Sequence, residues 1–278
     1  KRRIRATTEF GLQYNYQMRP EFTRIVASAG WSYKWGVQQQ RSQHRIDLLD
    51  INYLYMPSID QTFKEDYLEK DENYILKYNY EDRFIVRTGY SYIYNSAGRA
   101  LMNNSGIGNS YTIRLNFESA GNLLYAVAKL GGMKKNASGE YTLLNIPFAQ
   151  YLKGDFDFAK NLVIDNRNSL AFHFGAGIAI PYGNATMLPF EKRYFSGGAN
   201  SVRGWSVRDL GPGSFPGDNN FMNQSGDIKL DASIEYRTRL FWKFRGALFV
   251  DAGNIWTIRD YKDQPGGQFK FDKFYKQI

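Results

Sequence analysis

Few residues in this chain could do acid–base chemistry. His44 and His173 are its only imidazoles, so a nucleophile activated by histidine would depend on one of them. His173 lies between Phe172 and Phe174, with Gly175 next, in a segment that alternates like a strand. This context is typical of a structural histidine on the polar side of a strand, not of a general base. The sequence therefore predicts no catalytic centre.

Metal and nucleotide sites are equally poorly supported. Asp155 and Asp157 form a close pair of carboxylates, but no histidine or third carboxylate stands beside them in the sequence, so we interpret them as charges at a strand end. Without cysteine, thiolate metal sites and disulfides are excluded. Ser196 to Gly198 lacks the lysine and the following serine or threonine of a phosphate loop. We expect no metal and no cofactor.

The net charge of +9 raises the question of nucleic acid. Lysine and arginine are scattered, often two residues apart, and do not form a basic run. This spacing favours basic side chains that line a watery lumen or meet anionic lipid head groups. We therefore expect no nucleic-acid partner.

Apolar and polar residues alternate with a period of two over long segments. The clearest runs are Arg3 to Gln17, Tyr111 to Glu118 and Ile228 to Leu240. Because a strand places alternate residues on opposite faces, each run predicts one apolar and one polar face. The apolar face is expected to hold Ile113, Leu115, Phe117, Ile228, Leu230, Ile234 and Tyr236, and the polar face Arg114, Glu118, Lys229, Glu235 and Arg237.

Less regular alternation predicts further strands, giving about ten in all. These are Ile25 to Trp35, His44 to Tyr55, Tyr74 to Tyr94, Leu143 to Leu152, Phe156 to Ile164, Leu170 to Ile180 and Arg245 to Ile255. Between Leu48 and Leu49 the apolar parity switches, which indicates either a β-bulge or an error of register in this interpretation. The segment Ile59 to Asp71 is predicted to form a short helix within a loop.

Strand length and aromatic content favour a membrane barrel over a soluble sandwich, although both alternate. Several runs reach the roughly 9 to 11 residues that cross a bilayer at a tilt, whereas sandwich strands last about 5 or 6. Aromatic residues make up 17% of the chain, and clusters such as Trp31 to Trp35 and Tyr90 to Tyr94 are typical of an interfacial girdle. No apolar run is long enough for a transmembrane helix.

Loop lengths give a second test, because outer-membrane barrels have short turns on one side and long loops on the other. The longest connections are Pro57 to Asn73, Gly121 to Glu140 and Pro181 to Gly226, and the tight ones are Gln38 to Ser42, Asp165 to Asn168 and Phe241 to Phe244. Two strands separate each long loop from the next, so all three are expected on one side. Ser96 to Asn109 is longer than a tight turn and fits this scheme poorly.

The longest loop contains the run Phe190 to Trp205, in which Val202, Arg203, Gly204 and Trp205 follow two glycines, and then a Leu-Gly-Pro-Gly segment. The glycines that would let this backbone turn sharply are Gly197, Gly198, Gly211 and Gly213. Strand parity places Glu235 and Asp251 on the polar face. Arg203 is then either a solvated loop charge or a guanidinium that binds two carboxylates in a fixed geometry.

These two segments give the chain a resemblance to a known family. The Val202 to Trp205 run resembles the tip of the inward-folding sixth loop of the BamA/TamA family of outer-membrane barrels, and Phe249 to Trp256 is similar to that family's Phe-x-Asp-x-Gly strand. The resemblance implies that the loop folds into the lumen and that Arg203 meets Asp251 and Glu235 on the barrel wall. It is specific only from Phe190 to Trp256.

The resemblance also implies an architecture and a location. Family barrels have sixteen antiparallel strands, preceded by periplasmic domains, in the bacterial outer membrane. We therefore expect residues 1–278 to be an all-β transmembrane barrel domain that is truncated at both ends, with the periplasmic domains absent. The loop tip, followed by Leu210 to Gly213, looks most like the TamA-like branch found in Bacteroidetes.

By the same resemblance, the expected function is assembly, insertion or translocation of client proteins at the outer membrane. Expected partners are outer-membrane lipid and lipopolysaccharide, client outer-membrane or secreted proteins, and accessory assembly subunits. A two-partner-secretion transporter shares both motifs and remains an alternative. A passive porin or receptor would explain the strands and loops but not the motifs that contain Arg203 and Asp251.

Overall fold

The computed structural model describes residues 6–37, 41–69, 74–97, 108–217 and 224–278. Its strands, in chain order, are β1 (Ala6–Met18), β2 (Phe22–Val37), β3 (Ser42–Ile59), β4 (Arg83–Asn95), β5 (Ser110–Ala120), β6 (Thr142–Leu143), β7 (Ile146–Pro147), β8 (Tyr151–Val163), β9 (Asn168–Pro181), β10 (Ile228–Arg239) and β11 (Arg245–Trp256). The two-residue strands β6 and β7 pair with each other. The other nine form one antiparallel sheet in chain order, and this sheet is open.

The two faces of the sheet separate as the alternation predicts. On one face, which we call the apolar face, large side chains are exposed, including Leu115 and Phe117 of β5 and Ile234 of β10. On the opposite, polar face, charged residues of neighbouring strands pair, as Arg114 does with Asp157. Aromatic rings group at the short-turn end of the apolar face, where Trp35 stacks on His44 with centroids 5.0 Å apart. This grouping agrees with the interpretation of these aromatic residues as an interfacial girdle.

The parity switch near Leu48 is a β-bulge. Trp31 of β2 pairs with Leu49, but the next residue, Ser32, pairs with Asp47, so Leu48 is the extra residue in β3. The pairing of β3 with β4 is shifted over the same residues. The extra residue keeps apolar side chains on one face on both sides of the bulge.

Two predicted strands are wrong. The first part of Tyr74 to Tyr94 is helix α2 (Tyr74–Asn79), and β4 begins only at Arg83. Loop residues cover two sides of this helix: Ile75 and Tyr78 pack with Met187 and Tyr261, and Leu76 packs with Leu68 and Tyr80. Because other parts of the protein bury two sides of this segment, it forms a helix and not a strand.

The predicted strand Leu143 to Leu152 is a tight hairpin followed by the start of β8. Leu144 and Asn145 both have positive φ, which turns the chain back between β6 and β7. The predicted strand Phe156 to Ile164 is the remainder of β8. The described residues therefore form nine long strands, whereas about ten were expected.

The remaining helices lie in the loops. Helix α1 (Gln61–Phe63) continues as a wider π-helical turn over Lys64–Leu68, within the segment predicted to be helical. The side chain of Asp60 accepts a hydrogen bond from the Phe63 amide and so begins the helix. Helix α3 (Asn122–Leu130) follows β5, and single 3₁₀ turns cover Phe190–Lys192 and Phe274–Lys276. In the described ranges, no helix has the length and apolarity needed to cross a membrane.

The long connections 60–82, 121–150 and 182–227 leave the same end of the sheet, because two strands separate each from the next. We call this the long-loop end. The opposite connections are short at 164–167 and 240–244. Most of the predicted Ser96 to Asn109 connection lies outside the described residues, as do Gln38 to Gln40.

The main buried cluster lies at the long-loop end of the polar face. Its strand residues are Leu54, Ile85, Ala120, Tyr151 and Ala179, and the loop residues Ala149 and Leu188 cover them. The polar face thus becomes apolar at this end, and the long loops pack over it. The longest of these loops, residues 182–227, therefore enters the polar face from a packed base.

Candidate functional site

The site is built on the register between β10 and β11. Ser233 is the Cα partner of Asp251, and Glu235 is the partner of Phe249. Glu235 and Asp251 therefore stand at neighbouring positions of the polar face on adjacent strands. Two carboxylates placed in this way offer four acceptor oxygens to one side chain.

Arg203 occupies the space between these carboxylates, and we call this group the Arg203 clamp. Its Nε and Nη2 donate to the two oxygens of Asp251, each over 2.7 Å, and its Nη1 donates to Glu235. The backbone N–H of Arg203 also donates to Asp251 Oδ2, over 3.1 Å. A planar guanidinium can make this side-on pair, whereas an ammonium cannot.

The clamp is sheltered but not dry. The side chains of Arg203, Glu235 and Asp251 keep 24%, 16% and 4% of their exposure. Hydrogen bonds to Asp251 first, and then to Glu235, raise the pKa of Arg203 above its ordinary value. The guanidinium therefore stays charged at neutral pH.

Phe249 completes the clamp. Sequence reasoning placed it at the start of the strand motif but did not assign it a contact with Arg203. The Arg203 Cζ lies 3.6 Å from the centroid of its ring, a cation–π contact. The signal was present in the sequence, because Phe249 has the same strand parity as Asp251 and is therefore an aromatic residue on a polar face. Arg237 adds a second cation, with its Nε 2.6 Å from Glu235 Oε1.

The loop tip is a tight turn. The Trp205 amide donates to the Val202 carbonyl over 3.2 Å, and Val202 is buried. Gly204 and Trp205 are exposed, and a Cβ on Gly204 would meet nothing within 4 Å. The structure thus brings Arg203 to both carboxylates, while the two residues after it contact neither.

The loop glycines adopt backbone conformations that favour glycine. Gly197 has φ 97° and a Cβ there would lie 2.0 Å from the Ser206 carbonyl oxygen, and Gly211 has φ 79° against Asn254 of β11. These positions bring two arms of the loop together and place the loop against β11. The others singled out in the sequence, Gly198 and Gly213, also have positive φ.

Four consecutive residues before the tip, Glu191 to Tyr194, hold the base of the loop, and we call them the loop root. Three of them bind different strands on the polar face, and Arg193 binds the loop itself. Glu191 pairs with Arg24 of β2, and Lys192 Nζ lies 2.9 Å from Glu118 Oε2 of β5. Sequence reasoning missed this cluster, because its partners are separated from it by 32 residues or more.

The other two residues of the loop root are held more deeply. The fully buried Arg193 donates to the Ser225 carbonyl over 3.1 Å and lies 3.8 Å from Asp227. The Tyr194 hydroxyl donates to Asp155 of β8 over 2.5 Å. Burial and this carboxylate raise the pKa of Tyr194, which therefore remains a donor.

The interpretation of Asp155 and Asp157 as strand-end charges without a neighbouring histidine is wrong. Both lie within β8, and His173 of β9 places its Nε2 2.6 Å from Asp157. The Nδ1 of His173 faces Asp231 at 3.5 Å, so carboxylates occupy both sides of the imidazole. Within the described ranges, no group of three or more such side chains is arranged to hold a metal ion.

His44 lies on the apolar face, among aromatic rings. Its Nδ1 is 2.8 Å from the Tyr90 hydroxyl, and its ring stacks on Trp35. The two histidines are therefore on opposite faces of the sheet, and neither belongs to the Arg203 clamp.

An antiparallel sheet with an exposed apolar face, long connections at one end and short turns at the other has the features of the wall of an outer-membrane β-barrel. A sequence profile of the Omp85 superfamily domain matches residues 3–273. The chain belongs to the Omp85 superfamily, whose members are outer-membrane β-barrel proteins.

Individual relatives agree with this assignment. The chain is 32% identical over 96 residues to the outer membrane protein assembly factor BamA of Neisseria meningitidis serogroup B, an alignment that covers 31% of this chain and 12% of that protein. Its fold is similar to the crystal structure of BamA from Haemophilus ducreyi lacking POTRA domains 1–3, with a TM-score of 0.58 and 14% identity over 92% of this chain and 47% of that one. The chain therefore spans less than half the length of either protein.

Proposed function

We propose that this chain is the membrane barrel of a bacterial outer-membrane assembly factor that helps client proteins insert into the outer membrane or cross it. The observation that carries the proposal is the Arg203 clamp, which ties the longest loop to the polar face through Asp251 and Glu235. Family membership and the name of the Neisseria relative support the same function.

The clamp suits a barrel whose longest loop must stay in place in the lumen while the strands of its wall contact a client protein. A client strand that enters a bilayer must satisfy its backbone polar groups. It can do so by pairing with an exposed strand edge of the assembly barrel. We propose that the clamped loop supports β10 and β11 from inside during this step, without a catalytic group, metal or cofactor.

The test compares Arg203→Ala and Arg203→Lys in a client-insertion assay, with chelator present and no nucleotide. A hydrogen bond to a charged partner contributes about 1.5–3 kcal/mol, and about 1.4 kcal/mol corresponds to tenfold. Arg203→Ala should therefore slow insertion roughly tenfold or more. Arg203→Lys should recover only part of the rate, because the planar side-on pair is lost.

The matched control is Arg167→Ala, an exposed arginine in the tight turn between β8 and β9. The Arg167→Ala protein should insert clients at the same rate as the unmodified protein. Arg208, the neighbouring loop arginine, is a poor control, because it lies over the rings of Phe190 and Phe195. A folded Arg203→Ala protein with full activity would contradict the proposal, and dependence on added metal or nucleotide would contradict its cofactor-free part.

A two-partner-secretion transporter is the second candidate, since it shares the two motifs. It would move a soluble client across the membrane and leave a client barrel unfolded in the same assay. A passive porin or receptor would give ion or solute flux without client insertion. We further propose the TamA-like branch of Bacteroidetes, from the segments Ser201 to Trp205 and Leu210 to Gly213. The number and type of any periplasmic domains encoded in the same gene would test this assignment.

The proposed partners follow from the same function. They are client outer-membrane or secreted proteins, accessory assembly subunits, and the lipid and lipopolysaccharide around the apolar face. Nucleic acid is not among them. Crosslinking in intact cells, followed by identification of the attached species, tests this set.

A further inference from the structure

Helix α3 carries an exposed apolar side. Leu123, Val127 and Leu130 are 72%, 58% and 89% exposed. Their spacing of four and three residues places them on one side of the helix. A row of large apolar side chains this exposed marks a surface that meets something other than water.

The opposite side of α3 is covered by the protein itself. Tyr125 packs edge-on against Tyr141 with ring centroids 5.4 Å apart, and Ala128 is buried. The helix is therefore apolar on both sides and uses only one of them for packing. Folding alone does not account for the exposed row.

The first turn of α3 is attached to the apolar face of the sheet. Asn122 donates to the Ser119 hydroxyl over 2.7 Å and accepts from the Tyr182 hydroxyl over 2.7 Å. Ser119 is on the apolar face, where its Cα partner Leu152 is paired in turn with Ile180, and both are exposed. The exposed row thus begins where the apolar face reaches the long-loop end.

The charge around α3 has one sign. Between Glu118 and Glu140 the chain has no acidic residue, but it has Lys129, Lys134 and Lys135. Lysines beside an apolar helix side fit the boundary between lipid chains and anionic phosphate head groups. This charge does not fit a second copy of the same positively charged segment.

We propose that α3 lies in the interface of the outer leaflet, with Leu123, Val127 and Leu130 among the lipid chains and the lysines of the helix and of the segment after it at anionic lipid head groups. This inference rests on the outer-membrane location proposed above. The long-loop end faces outwards in such barrels. The helix would then fix how deeply strands β5 and β8 lie in the bilayer.

The experiment uses single-cysteine variants, since this chain contains no cysteine. The full chain is placed in nanodiscs of equal parts phosphatidylcholine and phosphatidylglycerol, and a spin label is attached at Val127→Cys. Val207→Cys is the matched control, an equally exposed valine at 60% beside the Arg203 clamp. Leu115→Cys on the apolar face reports the lipid environment of the wall.

The label at Val127 should be accessible to oxygen and shielded from a nickel chelate, as at Leu115, whereas the label at Val207 should be open to the chelate. A Val127 label as open as the Val207 label, with Leu115 still shielded, overturns the inference but not the location. An open Leu115 label overturns the location as well. Dipolar broadening at Val127 would show a second copy over the helix and also overturn the inference.

The lysines are tested separately with Lys129→Gln and Lys134→Gln, because Lys135 lies over the Tyr141 ring. Each substitution should reduce the ratio of shielded to open Val127 label about fivefold, given the usual attraction of one lysine to an anionic surface. The effect should vanish in pure phosphatidylcholine. Equal loss in both lipids would contradict the attraction of these lysines to anionic head groups, because phosphatidylcholine has a phosphate but no net charge.

Discussion

At the scale of single residues, the contacts within the Arg203 clamp explain why each of its positions has its particular residue type. Asp251 takes two side-chain hydrogen bonds and one from the backbone of Arg203. Glu235 binds the remaining arm, and Phe249 covers the face of the guanidinium. The group thus fixes the position, the plane and the backbone of one loop residue.

The contribution of Phe249 can be measured through the loop. Replacing Phe249 by Leu keeps an apolar side chain but removes the aromatic face, and such contacts contribute about 0.5–2 kcal/mol. The loop should open more often, so trypsin should cleave after Arg203 roughly 2 to 30 times faster. The cleavage rate of the folded protein in detergent measures this.

Phe241→Leu is the control, because Phe241 is 69% exposed in the turn between β10 and β11. It should leave cleavage unchanged. If Phe249→Leu also leaves cleavage after Arg203 unchanged, the ring does not stabilise the clamp.

At the scale of elements, the longest loop is held at two places. The clamp binds its tip to β10 and β11, and the loop root binds its base to β2, β5 and β8. Three of the four root residues contact different strands, since a chain that crosses the polar face meets a new strand every few ångströms. Arg193 contacts the loop itself. The loop therefore connects strands that are distant in the sheet.

Glu118 binds the loop root through Lys192, so replacing Glu118 should lower the free energy of unfolding. This carboxylate faces Lys192 at 2.9 Å and Arg87 at 3.3 Å, and its side chain is 18% exposed. Glu118→Gln leaves two cations together, so we expect a loss of about 1.5–3 kcal/mol for the charged hydrogen bond. Urea unfolding from lipid vesicles measures the loss.

Glu9→Gln provides the contrast, because Glu9 pairs with Lys34 at 2.6 Å with both side chains 40% or more exposed. The urea midpoint of the Glu9→Gln protein should equal that of the unmodified protein. Equal midpoints for both variants would mean that the loop root does not stabilise the wall.

At the scale of the whole molecule, the sheet is inverted relative to a soluble protein. Large apolar side chains are exposed on one face, while charged pairs occupy the other. The main buried cluster lies at the long-loop end, where the loops pack on the polar face. This arrangement suits a wall with lipid on one side and water on the other.

Adjacent residues of β5 test this directly. Leu115→Lys puts a charge on the apolar face and should cost about 2–4 kcal/mol if it lies near the bilayer midplane. Asn116→Lys puts the same charge on the polar face opposite Asp155 and should be tolerated. Folding into lipid vesicles, followed by urea unfolding, compares the two, and equal losses would contradict the assignment of faces.

The sequence by itself determined the faces of the strands, the side on which the long loops emerge, and the parity of Glu235 and Asp251. These follow from the two-residue repeat of a strand, which is a local property of the backbone. The Arg203 pairing could be expected only because the loop and strand motifs resembled a known family.

The tertiary structure alone decided the rest. Helix α2 formed where alternation favoured a strand, because Ile75 is buried by distant loop residues and Leu76 is buried on another side by residues of its own connection. His173 meets Asp157, and Tyr194 meets Asp155, only through the register of β8 with β9 and the path of the loop. Contacts between residues far apart in the chain depend on register and packing, which no local pattern records.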